Sequence, residues 1–127
     1  IKPLLASAAF PGIFSPVKMN NTLYADGGIT NNFPIEPLLV ECDKLIGIYV
    51  NPLKKVTIDD LKSTVSIIER AYQVSRANTS TQKFWSCEIM ISPEELNRFG
   101  TFSLGDIDEI FKIGYEETLK VLDKLGL

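Results

Sequence analysis

Apolar and polar positions along the chain predict helices and strands in alternation. Lys2 to Phe10 is rich in Ala and Leu and reads as a helix that Pro11-Gly12 stops. Phe14 to Met19 and Thr22 to Ala25 flank Asn20-Asn21, a pair that tolerates the left-handed backbone of a tight turn, so this stretch reads as a β-hairpin. Asp26-Gly27-Gly28 follows as a loop, and Pro34 opens a short helix over Ile35 to Cys42. Leu45 to Val50 is an unbroken apolar run closed by Asn51-Pro52, the pattern of a parallel strand buried on both faces. Leu61, Val65, Ile68 and Tyr72 step by three and four residues, which predicts a helix capped by Asp59 or Asp60 and reaching Gln82. Cys87 to Ile91 is a second strand. After Gly105, Ile107, Ile110, Phe111, Gly114, Val121, Leu122 and Leu125 mark a final amphipathic helix.

Strands that alternate with helices imply an α/β fold with helices packed on the sheet faces. A length of 127 residues suits one compact domain. A buried parallel strand needs a neighbour on each side, and the chain offers few. It also opens at Ile1 directly into a helical pattern with no cap. Both features are expected of a piece of a larger domain with further strands upstream.

Composition narrows the chemistry. The net charge is −3, with cations scattered among the acids and no basic stripe, which argues against nucleic acid as a partner. There is no histidine, so no Ser-His-Asp or Cys-His triad comes from this chain alone. Cys42 and Cys87 lie in apolar stretches without metal-ligand spacing, and are expected to be buried free thiols. That reading favours a reducing compartment such as the cytoplasm. No apolar run approaches the roughly 18 residues of a membrane span, and no basic-then-apolar leader opens the chain. The acids Asp106, Asp108, Glu109, Glu116 and Glu117 lack the spacing of a calcium loop and read as a solvated helix face. Lys54-Lys55 reads as a solvated loop, and Phe84 and Trp85 as the closure of a core edge. No metal or cofactor is called for.

Asp26 is the residue with the strongest claim to chemistry. It ends a strand and precedes two glycines, at a junction where backbone can turn sharply and approach a ligand closely. Ligand sites in α/β sheets gather beyond the carboxyl ends of strands. A carboxylate there can take a proton from a hydroxyl within hydrogen-bond reach. Asp-Gly is also a common turn dipeptide, so these residues alone leave a plain turn open.

The surroundings carry more. Ala6-Ser7, Pro11, Phe14, Tyr24, Asp26-Gly27-Gly28, Asn32 and Pro34 stand in order at the spacing of the aspartate block of the patatin-like phospholipase family, which this stretch resembles. Cys42 to Val50 looks like that family's next strand. The segment from Ile89 to Gly114, with its Ile91-x-Pro93, Phe99-Gly100 and Gly114, resembles the family's ending. The resemblance implies the carboxyl-terminal part of a three-layer α/β/α domain, with a mainly parallel sheet and a hairpin before the Asp-Gly-Gly loop. It further implies a Ser-Asp dyad acting on acyl esters of phospholipids or similar lipids. Carried over by residue, Asp26 is the base, Gly27 and Gly28 let the loop approach the serine, and Asn32 and Pro34 shape that loop. Phe10, Phe14 and Ile29 are candidate walls of an acyl pocket.

One departure governs the expected activity. The family's nucleophile sits in a Gly-x-Ser-x-Gly elbow, and no two glycines here are four residues apart. Ser7 lies in the first helix and Ser15 beside Pro16, so neither replaces it. The chain by itself is therefore expected to be inert, with the nucleophile supplied by a missing amino-terminal half. A non-catalytic interaction domain and an acyltransferase using the same dyad are the alternatives. Peripheral membrane contact and self-association through an exposed sheet edge are further expectations.

Overall fold

The computed structural model describes residues 1–100 and 104–126. Residues 101–103 of the segment likened to the family's ending lie outside that description. The chain divides into two compact units, Ile1–Pro34 and Ile35–Leu127.

The first unit starts with helix α1 (Lys2–Ser7), which has a proline in its first turn, where a missing N–H costs nothing. Strands β1 (Val17–Met19) and β2 (Thr22–Tyr24) pair antiparallel, with Val17 opposite Tyr24 and Met19 opposite Thr22. The two turn residues take positive φ, 48° at Asn20 and 62° at Asn21. This geometry matches the right-handed twist of the paired strands, which is why the Asn pair closes the hairpin the sequence predicts. Ala6 and Ala9 are buried, and their small side chains let backbone segments approach each other.

The second unit is organised by a crossover. Strand β3 (Ile46–Ile48) runs parallel to β4 (Ile89–Ile91), with Gly47 opposite Met90. Helix α2 (Thr64–Thr81) lies between them in sequence, the connection a parallel pair requires. The Tyr49 amide donates to the Ile91 carbonyl at 2.9 Å and the Glu88 amide to Leu45 at 2.9 Å, extending the ladder past the strand limits. Helix α3 (Ile107–Leu125) ends on Gly126 at φ 71°, where glycine adopts the left-handed cap without strain. The molecule thus mixes helices with strands and contains a small parallel sheet.

Six expectations are corrected. Ile35 to Cys42 forms successive turns with amides of Leu38 and Leu39 bonded to the Ile35 carbonyl, but it does not propagate into a helix. β3 buries Leu45, Gly47 and Tyr49 on one face only, and Ile46 and Ile48 on the other are 63% and 61% exposed. The apolar stripe of α2 faces outward, with Val65 74% and Ile68 64% exposed, while Ala77 and Ser80 are buried. Its cap is Ser63, which accepts from the Ser66 amide, and Asp60 instead lies inside a preceding 3-10 turn, Ile58–Leu61, where its carboxylate accepts from the amide of the cap residue Thr57. Finally, Trp85 is 93% exposed and closes no core edge, and Cys42 is exposed with Cys87 half-buried, so neither thiol is fully buried. Burial nonetheless pushes the Cys87 thiol above its ordinary value. Among the described residues no helix is long and apolar enough to cross a membrane.

Candidate active site

The Asp26 loop is built by three backbone decisions in the first unit. The hairpin delivers Asp26 immediately after β2. The Asp26 amide then donates to the Ala9 carbonyl at 3.0 Å, fixing the strand exit to the segment that follows α1. The chain next turns into a short 3-10 segment, Gly27–Ile29, with Asp26 as its cap. Its Oδ1 accepts from the Gly28 amide at 2.7 Å, a charge-assisted bond that orients the carboxylate. The Thr30 and Asn31 amides close the turn on the Gly27 carbonyl at 3.1 and 2.9 Å.

Asp26 is half-buried, neither sunk in a core nor fully solvated. Gly27 has no positive φ, and a Cβ placed on it meets nothing within 4 Å. The fold of this unit therefore does not itself demand a glycine at position 27. The open space there lies beside the carboxylate in sequence, which is where close approach of another group would require it. Gly28, Asn32 and Pro34 follow along the same loop, the first two half-buried and Pro34 exposed.

The three candidate wall residues are also in this unit. Phe10 is half-buried, and its carbonyl accepts from the Ile13 amide at 3.2 Å and the Phe14 amide at 2.9 Å. Phe14 is 56% and Ile29 49% exposed, so both present apolar area to the surroundings. Sequence reasoning passed over Ala9, whose contribution is a backbone carbonyl and leaves no side-chain signal. Ser7 is exposed at the end of α1, and Ser15 is exposed before β1. Among the described residues no cluster of His, Cys, Asp or Glu has the grouping of a metal site.

Residues 2–39 match the model of the patatin-like phospholipase family. The amino-terminal part of this chain is similar to that family. The matched stretch contains α1, the hairpin, and the whole Asp26 loop, and is shorter than the resemblance read from the sequence. A curated relative, the protein described as "Probable lipid hydrolase 463L" of Invertebrate iridescent virus 6, is 53% identical over 36 residues. That alignment spans 28% of this chain and 12% of the relative. The matched stretch takes in nearly all of the first unit, Ile1–Pro34, and the alignment covers only a small part of the relative's own length.

Proposed function

We propose that this chain supplies the general base, Asp26, of a Ser-Asp dyad in a serine acyl hydrolase acting on lipid esters. The nucleophile comes from a segment outside these 127 residues. The observation that carries the proposal is the pinned carboxylate. Asp26 stands at a strand exit inside the patatin-like stretch, with Oδ1 engaged by the Gly28 amide and open space at Gly27.

In the proposed reaction Oδ2 of Asp26 takes the proton from the serine hydroxyl as Oγ attacks the ester carbonyl. The tetrahedral intermediate collapses to an acyl-serine, and the proton returns from Asp26 to the departing alcohol. Water then attacks the acyl-serine with Asp26 again as base, releasing the fatty acid and restoring the serine. The Gly28 amide keeps the carboxylate oriented through both halves, so no histidine is required. Phe10, Phe14 and Ile29 provide apolar area for the acyl chain, with Gly28, Asn32 and Pro34 shaping the loop. On this reading the chain is the carboxyl-terminal part of one three-layer α/β/α domain that works at a lipid surface.

The test is an esterase and phospholipase assay of the source protein together with its Gly-x-Ser-x-Gly segment. Asp26→Asn keeps an oxygen for the Gly28 amide but removes the base, and is expected to lower turnover by about 10²–10⁴. The 127-residue chain alone is expected to show none. Turnover that survives Asp26→Asn overturns the proposal. Acyl transfer to added glycerol in place of fatty acid release identifies an acyltransferase.

A further inference from the structure

The second unit contains a groove that the Asp26 chemistry does not use. Its volume is about 530 Å³, within the roughly 300–1,000 Å³ typical of small-molecule sites. It opens beyond the carboxyl ends of β3 and β4, with walls from the Tyr49–Lys54 segment, α2 and the turn after β4. Ligands of α/β sheets gather at this end of the strands.

Two features set this groove apart from an incompletely filled core. The first is the orientation of α2. Ser66, Arg70, Gln73 and Arg76 step by three and four residues and line the groove, while Val65, Ile68 and Val74 are exposed. A helix that only needed stabilising would present these two sets the other way round. Departures from that local rule concentrate at sites with a use.

The second feature is charge. The protein carries −3 overall, yet four cations, Lys54, Arg70, Arg76 and Arg98, line the groove with two carboxylates, Asp60 and Glu69, and a third carboxylate, Glu109, compensates Arg98 from outside the lining. Both lining carboxylates are engaged locally. Asp60 accepts from the Thr57 amide and hydroxyl, each at 2.8 Å, and Glu69 accepts from Gln73 Nε2 at 3.3 Å. Arg98 pairs with Glu109 at 2.5 Å, which fixes its guanidinium. Tyr49 on the groove wall is buried, with its ring edge-on to Phe84 at a centroid distance of 5.1 Å. Arg76 is steadied over the Tyr72 ring at 5.2 Å. Guanidinium groups held in place present planar forks of N–H donors that match phosphate oxygens.

We propose that this groove binds a phosphate group, as a mono- or diester. The site is independent of the Asp26 reading and stands or falls separately.

Amide NMR of the isotope-labelled 127-residue chain tests it. Sodium phosphate, and then glycerol 1-phosphate, are titrated against sodium chloride at matched ionic strength. The expected result is saturable shifts confined to residues 49–54, 66–76 and 96–100. Because Arg76 also packs on Tyr72, the exposed or half-buried Arg70→Gln and Arg98→Gln are the deciding variants. Each is expected to weaken binding about tenfold, the scale of one charge-assisted hydrogen bond. Co-sedimentation with phosphatidic acid vesicles, lost in Arg70→Gln, assigns the phosphate to a lipid headgroup. Glycerol phosphate binding without vesicle binding assigns it to a soluble phosphoester. Shifts no larger than chloride produces, or binding unchanged in both variants, overturn the proposal.

Discussion

The Asp26 amide bonds to the Ala9 carbonyl at 3.0 Å, tying the candidate base by its backbone to the residues that follow α1. The side chain then makes its own bond to Gly28, so two contacts with different partners fix one residue. One of these contacts is local, to Gly28, and the other reaches back 17 residues to Ala9.

Replacing Asp26 separates positioning from chemistry. Asp26→Ala removes the 2.7 Å bond to the Gly28 amide and is expected to destabilise this unit by about 1 kcal/mol, the usual loss for a helix-start cap. Asp26→Asn retains an acceptor and is expected to lose clearly less. Urea unfolding of the two variants measures the difference, and equal losses contradict the capping role.

Gly27 lies in open space at an ordinary φ. Gly27→Ala is expected to leave stability within about 0.5 kcal/mol of the parent or raise it slightly, since alanine restricts the unfolded chain. In the protein carrying the nucleophile, the same methyl is expected to reduce esterase turnover by obstructing approach to the carboxylate. A large loss of stability in urea shows instead that the fold itself demands glycine there.

The hairpin turn yields a backbone prediction. Asn21 has φ 62°, a conformation that costs a side chain about 1–2 kcal/mol unless it is Gly, Asn or Asp. Asn21→Val is therefore expected to destabilise by about that amount, and Asn21→Gly to be neutral or stabilising. Shifts of the urea midpoint in the opposite order refute the turn assignment.

Asp60 supplies a pH dependence. Bonds from the Thr57 amide and hydroxyl hold its carboxyl below the ordinary value. A depressed folded-state pKa contributes stability that is present above the unfolded value, about 3.9. That contribution disappears as pH falls through the lower, folded value. The Thr57 amide shift is thus expected to titrate with a midpoint below the ordinary carboxyl value and to become flat in Asp60→Asn. A midpoint at or above the ordinary carboxyl value removes the cap.

How much was legible in advance follows how local each feature is. The Asn20-Asn21 hairpin, α1, α3 and the Asp26-Gly27-Gly28 turn were readable because short-range steric and hydrogen-bond preferences decide them. The short helix at Ile35 to Cys42 was misread because turn-forming bonds at Leu38 and Leu39 resemble a helix start, and pattern alone cannot show whether they propagate. The Asp26 carboxylate could be picked out by its motif, but its anchor, the Ala9 carbonyl, carries no side-chain mark.

The sequence by itself determined the order of most elements and the turn chemistry, since these depend on neighbours within a few residues, while Asp26 was singled out as candidate base by the resemblance of the longer stretch around it. Tertiary structure alone decided which faces of β3 and α2 are buried. An apolar run such as Leu45 to Val50 states that its side chains avoid water, and only the packing around it sets what covers them. The same holds for Arg70, Arg76 and Arg98, which are unremarkable in the chain. They form a cationic groove because the crossover brings α2 and the turn after β4 to the same end of the two parallel strands.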